Sequence, residues 1–222
     1  MTPKLLPRSA RTLLCALAAG AALSACAPLL MGGAMVGSSL MVSDRRTTGA
    51  QVEDQSIEFK SIKRINDVVG DRGHLNVTSY NRVVLLTGEA ASEADKAAIE
   101  RAVAGIENVR SVVNELAIGP PSSFGSRSND AFLTSKIKAS MVDAKDIQAN
   151  SFKVVTERGI VYLMGIVSER EANRATDIAR GVSGVRKVVR VFEIVSEADL
   201  AATQPRPTPA PVPAPASAPA KP

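Results

Sequence analysis

Reactive side chains are scarce in this 222-residue chain, which holds one histidine, two cysteines and no tryptophan. A transition-metal site needs several nitrogen, sulfur or carboxylate ligands brought together, and the sequence shows no His, Cys and carboxylate cluster that would supply them. His74 follows Gly73 ahead of a strand-like run and reads as a solvated loop residue rather than a general base. Glu169 and Glu171 fall where a helix would begin, and carboxylates there complement its dipole instead of forming an acid–base pair. Gly32, Gly33 and Gly37 do not follow a strand, so a phosphate loop is a poor reading. An enzyme would gather an acid, a base or a nucleophile in a pocket. The expectation is a chain without catalytic residues, metal or cofactor.

Cys26 is the exception, because its surroundings suit acylation. Lys4, Arg8 and Arg11 precede an apolar run from Leu13 to Leu23, and Leu23, Ser24 and Ala25 lead directly into Cys26. That is the layout of a secretory signal ending in small residues, and it is too short to span a bilayer as a mature helix. The phrase resembles the bacterial lipobox, whose cysteine is diacylated and becomes the first residue; an ordinary signal with an accidental cysteine is the competing reading. Each buried methylene contributes about 0.8 kcal/mol, so several acyl chains anchor where one holds weakly. Cys15 lies in the discarded segment, which leaves no intramolecular disulfide. Ala27 follows, where an aspartate would suggest inner-membrane retention.

The elements that could position a site come as a repeat. Val77 to Ser79, Val83 to Gly88, Gly105, Ile106, Val109 and Val112 are answered by Val154 to Thr156, Ile160 to Gly165, Gly184, Val185, Val188 and Val191. Two copies of one small module are therefore expected. In each, two β-branched runs flank a turn and form a hairpin. Ser92 with Asp95, and Ser168 with Glu171, predict capped helices whose acidic residue returns a bond to the cap's amide. Gly105 and Gly184 are expected to end those helices in a left-handed conformation. Valine-rich strands follow at Val109–Leu116 and Val188–Val195, and further helices precede the hairpins at Ile57–Val69 and Phe132–Val142. The expected fold is α+β: two tandem αββαβ units, each with a three-stranded mixed sheet covered by two helices.

The stretch "GIVYLMGIVSEREANRATDIARGVSGVRKVVRVFEI" resembles the BON domain, a module found in tandem in bacterial envelope proteins, and "SYNRVVLLTGEAASEADKAAIERAVAGIENVRSVVNEL" matches nearly as well. With "DRRTTGAQVEDQSIEFK" ahead of them, the arrangement resembles dual-BON outer-membrane lipoproteins of the DolP type. The expected organisation is a signal peptide at 1–25, a lipidated N-terminus and tether at 26–50, BON domain 1 at 51–119, a linker at 120–127, BON domain 2 at 128–196, and a Pro/Ala-rich disordered tail at 197–222. The segment from Ala27 to Val42 is apolar but short and glycine-interrupted, which favours a tether over a membrane span. Residues 203–222 hold eight of the thirteen prolines, and such a composition favours an extended tail without a packed core.

Charge separates the copies. From Val52 to Ile118 eight Lys and Arg stand against eleven Asp and Glu, a net −3; from Arg127 to Val195 twelve stand against eight, a net +4. Removal of Lys4, Arg8 and Arg11 with the signal lowers the chain from +5 to +2. In the first copy Ile57, Ser61, Ile65, Val68 and Val69 share one helix face, with Lys60, Lys63 and Asp67 opposite, as in an ordinary half-buried helix. In the second copy Leu133, Ile137 and Met141 form the core stripe, while Phe132, Ala139 and Val142 gather on the far side with Lys136 and Lys138 flanking them. An apolar strip edged by lysines suits an anionic bilayer surface. It equally suits a protein contact or packing against the first module.

The resemblance implies the first of these, since DolP-type proteins bind anionic phospholipid through this helix. Here Phe132 stands in the place of a larger indole, a change expected to weaken anchoring without abolishing it. It also implies a periplasm-facing outer-membrane location, a role in envelope integrity and cell division, phosphatidylglycerol or cardiolipin as ligand, and outer-membrane protein assembly machinery as a partner. Nucleic acid is excluded on compartment grounds.

Overall fold

A computed structural model describes residues 44–70 and 72–203. Cys26, the expected signal peptide, the tether from Ala27 to Val42 and the tail beyond Thr203 lie outside the described residues. The first module runs α1 (Thr48–Val69), β1 (Gly73–Tyr80), β2 (Val83–Ala90), α2 (Glu93–Ala104), β3 (Ser111–Asn114) and β4 (Ala117–Ile118). The second runs α3 (Phe124–Asp143), β5 (Lys153–Glu157), β6 (Ile160–Val167), α4 (Glu169–Gly181), β7 (Lys187–Ile194) and α5 (Glu197–Thr203). In both, an antiparallel hairpin continues through a helical crossover into a parallel strand, giving sheet orders β1-β2-β3 and β5-β6-β7. The fold is α+β, as expected, with mixed sheets.

Each hairpin closes through two residues of positive φ, Asn81 and Arg82 at 50° and 66°, and Arg158 and Gly159 at 54° and 72°. Two-residue turns of this hand match the twist of the flanking strands, but a side chain at positive φ is strained. A carboxylate from the preceding helix holds each turn. Asp54 accepts from the amides of Asn81 and Arg82 at 2.8 Å each, and Asp130 from those of Arg158 and Gly159 at the same distance. Both carboxylates are buried. Asp54 also accepts from the Ser79 hydroxyl and from Arg46.

The apolar runs of β2 and β6 lack the alternation of a half-exposed strand because both faces are covered. Val84 and Leu86 pack beneath α1 and α2, and Val161 and Leu163 beneath α3 and α4. Their neighbours point the other way, and Tyr80 and Leu85 of one module meet Tyr162 and Met164 of the other in a third core between the sheets. Gly88 marks a close approach of β2 to β1 within the first sheet, since a Cβ there would run into the His74 carbonyl.

Polar contacts cross the same seam. Glu193 accepts from Asn81 and Arg110, each at 2.7 Å. Ahead of α1, two adjacent arginines divide between the modules. Arg46 reaches Asp54, whereas Arg45 makes a bidentate pair with Glu171 at 2.7 and 2.8 Å and donates to the Ile166 carbonyl at 2.9 Å.

Several boundaries differ from expectation. α1 and α3 start well before Ile57 and Phe132, because Thr47 and Ser123 accept from the amides of Ala50 and Ser126 as N-caps. Residues 44–50 are therefore docked structure rather than tether, and the linker ends at Ser123. α5, with Leu200 buried, occupies the first seven residues assigned to the disordered tail. The full capping box forms only at Ser168 and Glu171; Asp95, one methylene shorter, meets the Ser92 hydroxyl instead of its amide. Gly105 caps α2 at φ −82°, α4 ends at Gly181, and the residues of positive φ are Asn108 and Gly184. Gly105 thus corresponds to Gly181 and Asn108 to Gly184. The strand expected at Val109–Leu116 ends at Asn114, where the Leu116 amide turns to Asn114 Oδ1, and Ala117–Ile118 just beyond it add a fourth strand to the first sheet.

Asp130→Ala is expected to cost about 2 kcal/mol through two orphaned turn amides. Asp54→Ala should cost more, because Arg46 and Ser79 lose a partner as well; urea denaturation of the two-module protein checks both the losses and their order. The Arg45 guanidinium holds the Glu171 carboxyl below its ordinary 4.5. A depressed carboxylate contributes stability that is present above its unfolded value and lost as pH falls through its folded one. Arg45→Ala should therefore cost about 3 kcal/mol at pH 7 and flatten the decline in stability below about pH 4.5, as read from denaturation midpoints across pH.

Candidate functional site

α3 presents two edges of different chemistry. Asp130, Leu133, Ile137 and Met141 are buried against the second module's core. Opposite them, Phe132 is 62% exposed and Val142 69%, with Ala139 and Lys138 exposed and Lys136 half-buried. The Lys136 ammonium lies 5.5 Å from the Phe132 ring centre. All five residues singled out from sequence thus share this helix, and its apolar strip lies opposite the buried stripe of Leu133, Ile137 and Met141. Phe124, 80% exposed, extends the strip by two turns. At 100° per residue it falls within about 80° of Phe132, Ala139 and Val142, along about 27 Å of helix. Sequence reasoning missed it by starting the helix at Phe132; Ser123, a capping type directly before Phe124, was the available signal.

Beside Val142 a cleft of about 320 Å³ opens between the modules, lined among others by Lys138, Lys153, Phe152 and Tyr80. Arg46 also borders it, but its guanidinium is engaged with Asp44 and Asp54 and stacked 4.2 Å from the Tyr80 ring centre. Burial, with Asp44 adding to it, pushes the Tyr80 phenol up to about 12. The uncommitted cations on this rim are the ammonium groups, and both lysines are exposed.

The first module's helix is not the ordinary amphipath expected. Val52, Phe59 and Ile62 of α1 are 62%, 75% and 50% exposed, and Val68, assigned to the core face, is 39% exposed. Exposed apolar residues alone therefore do not distinguish α3 from α1. What distinguishes them is charge, since the second module carries the basic excess.

His74 and the expected absence of a metal-ligand cluster need correction. His74 lies in β1 opposite Glu89 of β2, not in a loop. Glu157, from the end of β5, completes a His74, Glu89 and Glu157 cluster at the seam. Burial raises the Glu157 carboxyl above its ordinary value, with repulsion from Glu89 adding to it and the Asn76 hydrogen bond opposing. Only strand register and module packing bring these three together, so their sequence spacing carried no signal.

Two αββαβ units, each with a carboxylate-held hairpin and helices on one side, define a tandem of one small α+β module. The family model described as "BON domain" matches residues 53–120 and 129–196, and the chain belongs to the BON-domain family. Its dual-BON arrangement is of the DolP type: it is 36% identical over 173 residues to "Outer membrane lipoprotein DolP" of Haemophilus influenzae, covering 77% of this chain and 89% of that one. The "21 kDa hemolysin" of Actinobacillus pleuropneumoniae is 32% identical over 154 residues, 68% of this chain and 79% of the relative. "Osmotically-inducible protein Y" of Escherichia coli is 32% identical over 117 residues, 51% and 58% of the two chains. On this kinship the chain is an outer-membrane protein. Among the described residues no helix is long and apolar enough to cross a membrane.

Exposed positions away from buried features shift stability by no more than about 0.5 kcal/mol. Phe124→Ser and Phe132→Ser should therefore leave the thermal midpoint nearly unchanged, while Leu133→Ala on the same helix should cost about 2–5 kcal/mol. Parallel thermal melts separate the two classes.

Proposed function

We propose that this chain is a non-enzymatic lipoprotein, acylated at Cys26 and facing the periplasm, whose second BON domain lays α3 on anionic phospholipid and so supports envelope integrity at division sites. The observation that carries the reading is the exposed strip of Phe132, Ala139 and Val142, prolonged by Phe124 and edged by Lys136 and Lys138. Rings and aliphatic groups enter the interfacial layer, while ammonium groups meet phosphate; each such charge near an anionic surface contributes about 1 kcal/mol. The cleft beside Val142 offers Lys138 and Lys153 to one headgroup. The anchor supplies attachment, and the strip supplies lipid preference and orientation. A neutral ring over an ammonium group also suits this surface, because the pair keeps an apolar body and a charged tip side by side.

A second reading has its own support. The exposed Val52, Phe59 and Ile62 of α1, on the acidic module, suit a protein partner such as outer-membrane assembly machinery. The two surfaces belong to different modules, and both roles fit one adaptor.

The second module alone would expose Tyr162 and Met164, which the first module covers, so the tandem is the right material. Soluble protein spanning both modules should sediment with phosphatidylglycerol or cardiolipin vesicles and not with phosphatidylcholine. Phe132→Ala and Phe124→Ala should each weaken binding several-fold, and Lys136→Glu with Lys138→Glu should reduce it most at low salt. Unchanged binding by all these variants would sink the lipid reading, whereas loss through Phe59→Ala alone would move the contact to α1.

A further inference from the structure

The His74, Glu89 and Glu157 cluster has no part in either helix surface. His74 and Glu89 face one another across the β1–β2 ladder, with Nδ1 and Oε2 3.6 Å apart. One ligand-capable atom from each of the three residues lies within 4.8 Å of the others. The carboxylates are deeply buried, Glu89 at 1% and Glu157 at 6% exposure. His74 Nδ1, Glu89 Oε1 and Glu157 Oε1 are buried atoms without a hydrogen-bond partner. Such groups are costly, and three at one point call for a common partner.

The rest of each carboxylate is already oriented. The Ser122 amide donates to Glu89 Oε2 at 3.0 Å, and Asn76 Nδ2 donates to Glu157 Oε2 at 2.9 Å. Both leave Oε1 open, as outer hydrogen bonds do when they aim a metal ligand. The neighbouring cation is Arg158, whose Nη1 is 4.0 Å from Glu89 Oε1 on a side chain 44% exposed. One half-solvated guanidinium faces two buried carboxylates, so a negative excess remains.

We propose that His74, Glu89 and Glu157 bind one divalent transition-metal ion of the zinc type, held across the seam between the two BON domains. A dication balances the two carboxylates, and the imidazole selects zinc-like ions over magnesium or calcium, which favour oxygen ligands. Zinc bonds of about 2.0–2.2 Å set tetrahedral ligand atoms about 3.3–3.6 Å apart. His74 Nδ1 is 3.6 Å from Glu89 Oε2, the oxygen that also accepts from the Ser122 amide, so rotation of the Glu89 and Glu157 carboxylates brings their open oxygens into this range. Three protein ligands leave the fourth position to water. Any proton held by Glu157 leaves as the ion binds. Glu157 comes from the second module and the other two ligands from the first, so the ion ties the modules together.

The test is calorimetric titration of the mature chain, carrying Cys26→Ser to remove a competing thiol, stripped with chelator and then given zinc chloride, with magnesium and calcium chloride in parallel. One zinc ion per chain should bind and raise the thermal midpoint, without a matching response to magnesium or calcium. His74→Gln and Glu157→Gln should each weaken zinc at least tenfold and abolish the thermal shift. Absent saturable binding, affinity unchanged in both variants, or equal response to magnesium would overturn the proposal, the first of these leaving the cluster to a carboxyl proton alone. Should Glu157→Gln fail to fold, His74→Gln decides, since that side chain is 24% exposed and the most solvent-accessible of the three ligands.

Discussion

A sheet with helices on one side has a bare side, and in this protein the bare sides are apolar. Covering them forces the two modules together, and most of what is distinctive follows. Tyr80, Leu85, Tyr162 and Met164 are buried only because each sheet supplies the other's second layer. The helices are pushed to the two outer surfaces, which is why α3 and α1 can each present an apolar edge to solvent. The perimeter of the seam then has to accommodate whatever polar side chains the inward register delivers, among them Glu89, Glu157 and Glu193.

A second constraint acts within each module. A two-residue hairpin needs positive φ at residues that resist it, and three of the four positions here are not glycine. Asp54 and Asp130 make that backbone tolerable by accepting both turn amides, and because they sit on α1 and α3 they also fix where those helices lie over the sheet. The exposure of Phe132 is thus partly set from Asp130, two residues before it, whose carboxylate fixes the rotation of the helix.

Much of this was legible in the sequence. The repeat, the order of elements and the capped helices α2 and α4 follow from β-branched runs, turn residues and serine–acid pairs. The strip on α3 follows from helical periodicity. What escaped has physical causes. The unalternating runs of β2 and β6 announce two covered faces but not what covers them. His74, Glu89 and Glu157 meet through strand register and module packing, neither of which leaves a local pattern. Glycine suggests positive φ and so points to Gly105 as the counterpart of Gly184, whereas Asn108 takes that role in the first copy. α1 was misread because Phe59 and Ile62 interrupt its lysines without forming an obvious stripe.

Arg45 and Arg46 give the protein a mechanical character. They are consecutive, yet one grips Glu171 in the second module and the other Asp54 in the first. A pull on the backbone at Asp44 is shared at once between two bodies before it reaches α1. Tension arriving from that end would meet two charged grips loaded in parallel, and would press the module pair to move as one object rather than peel the first from the second.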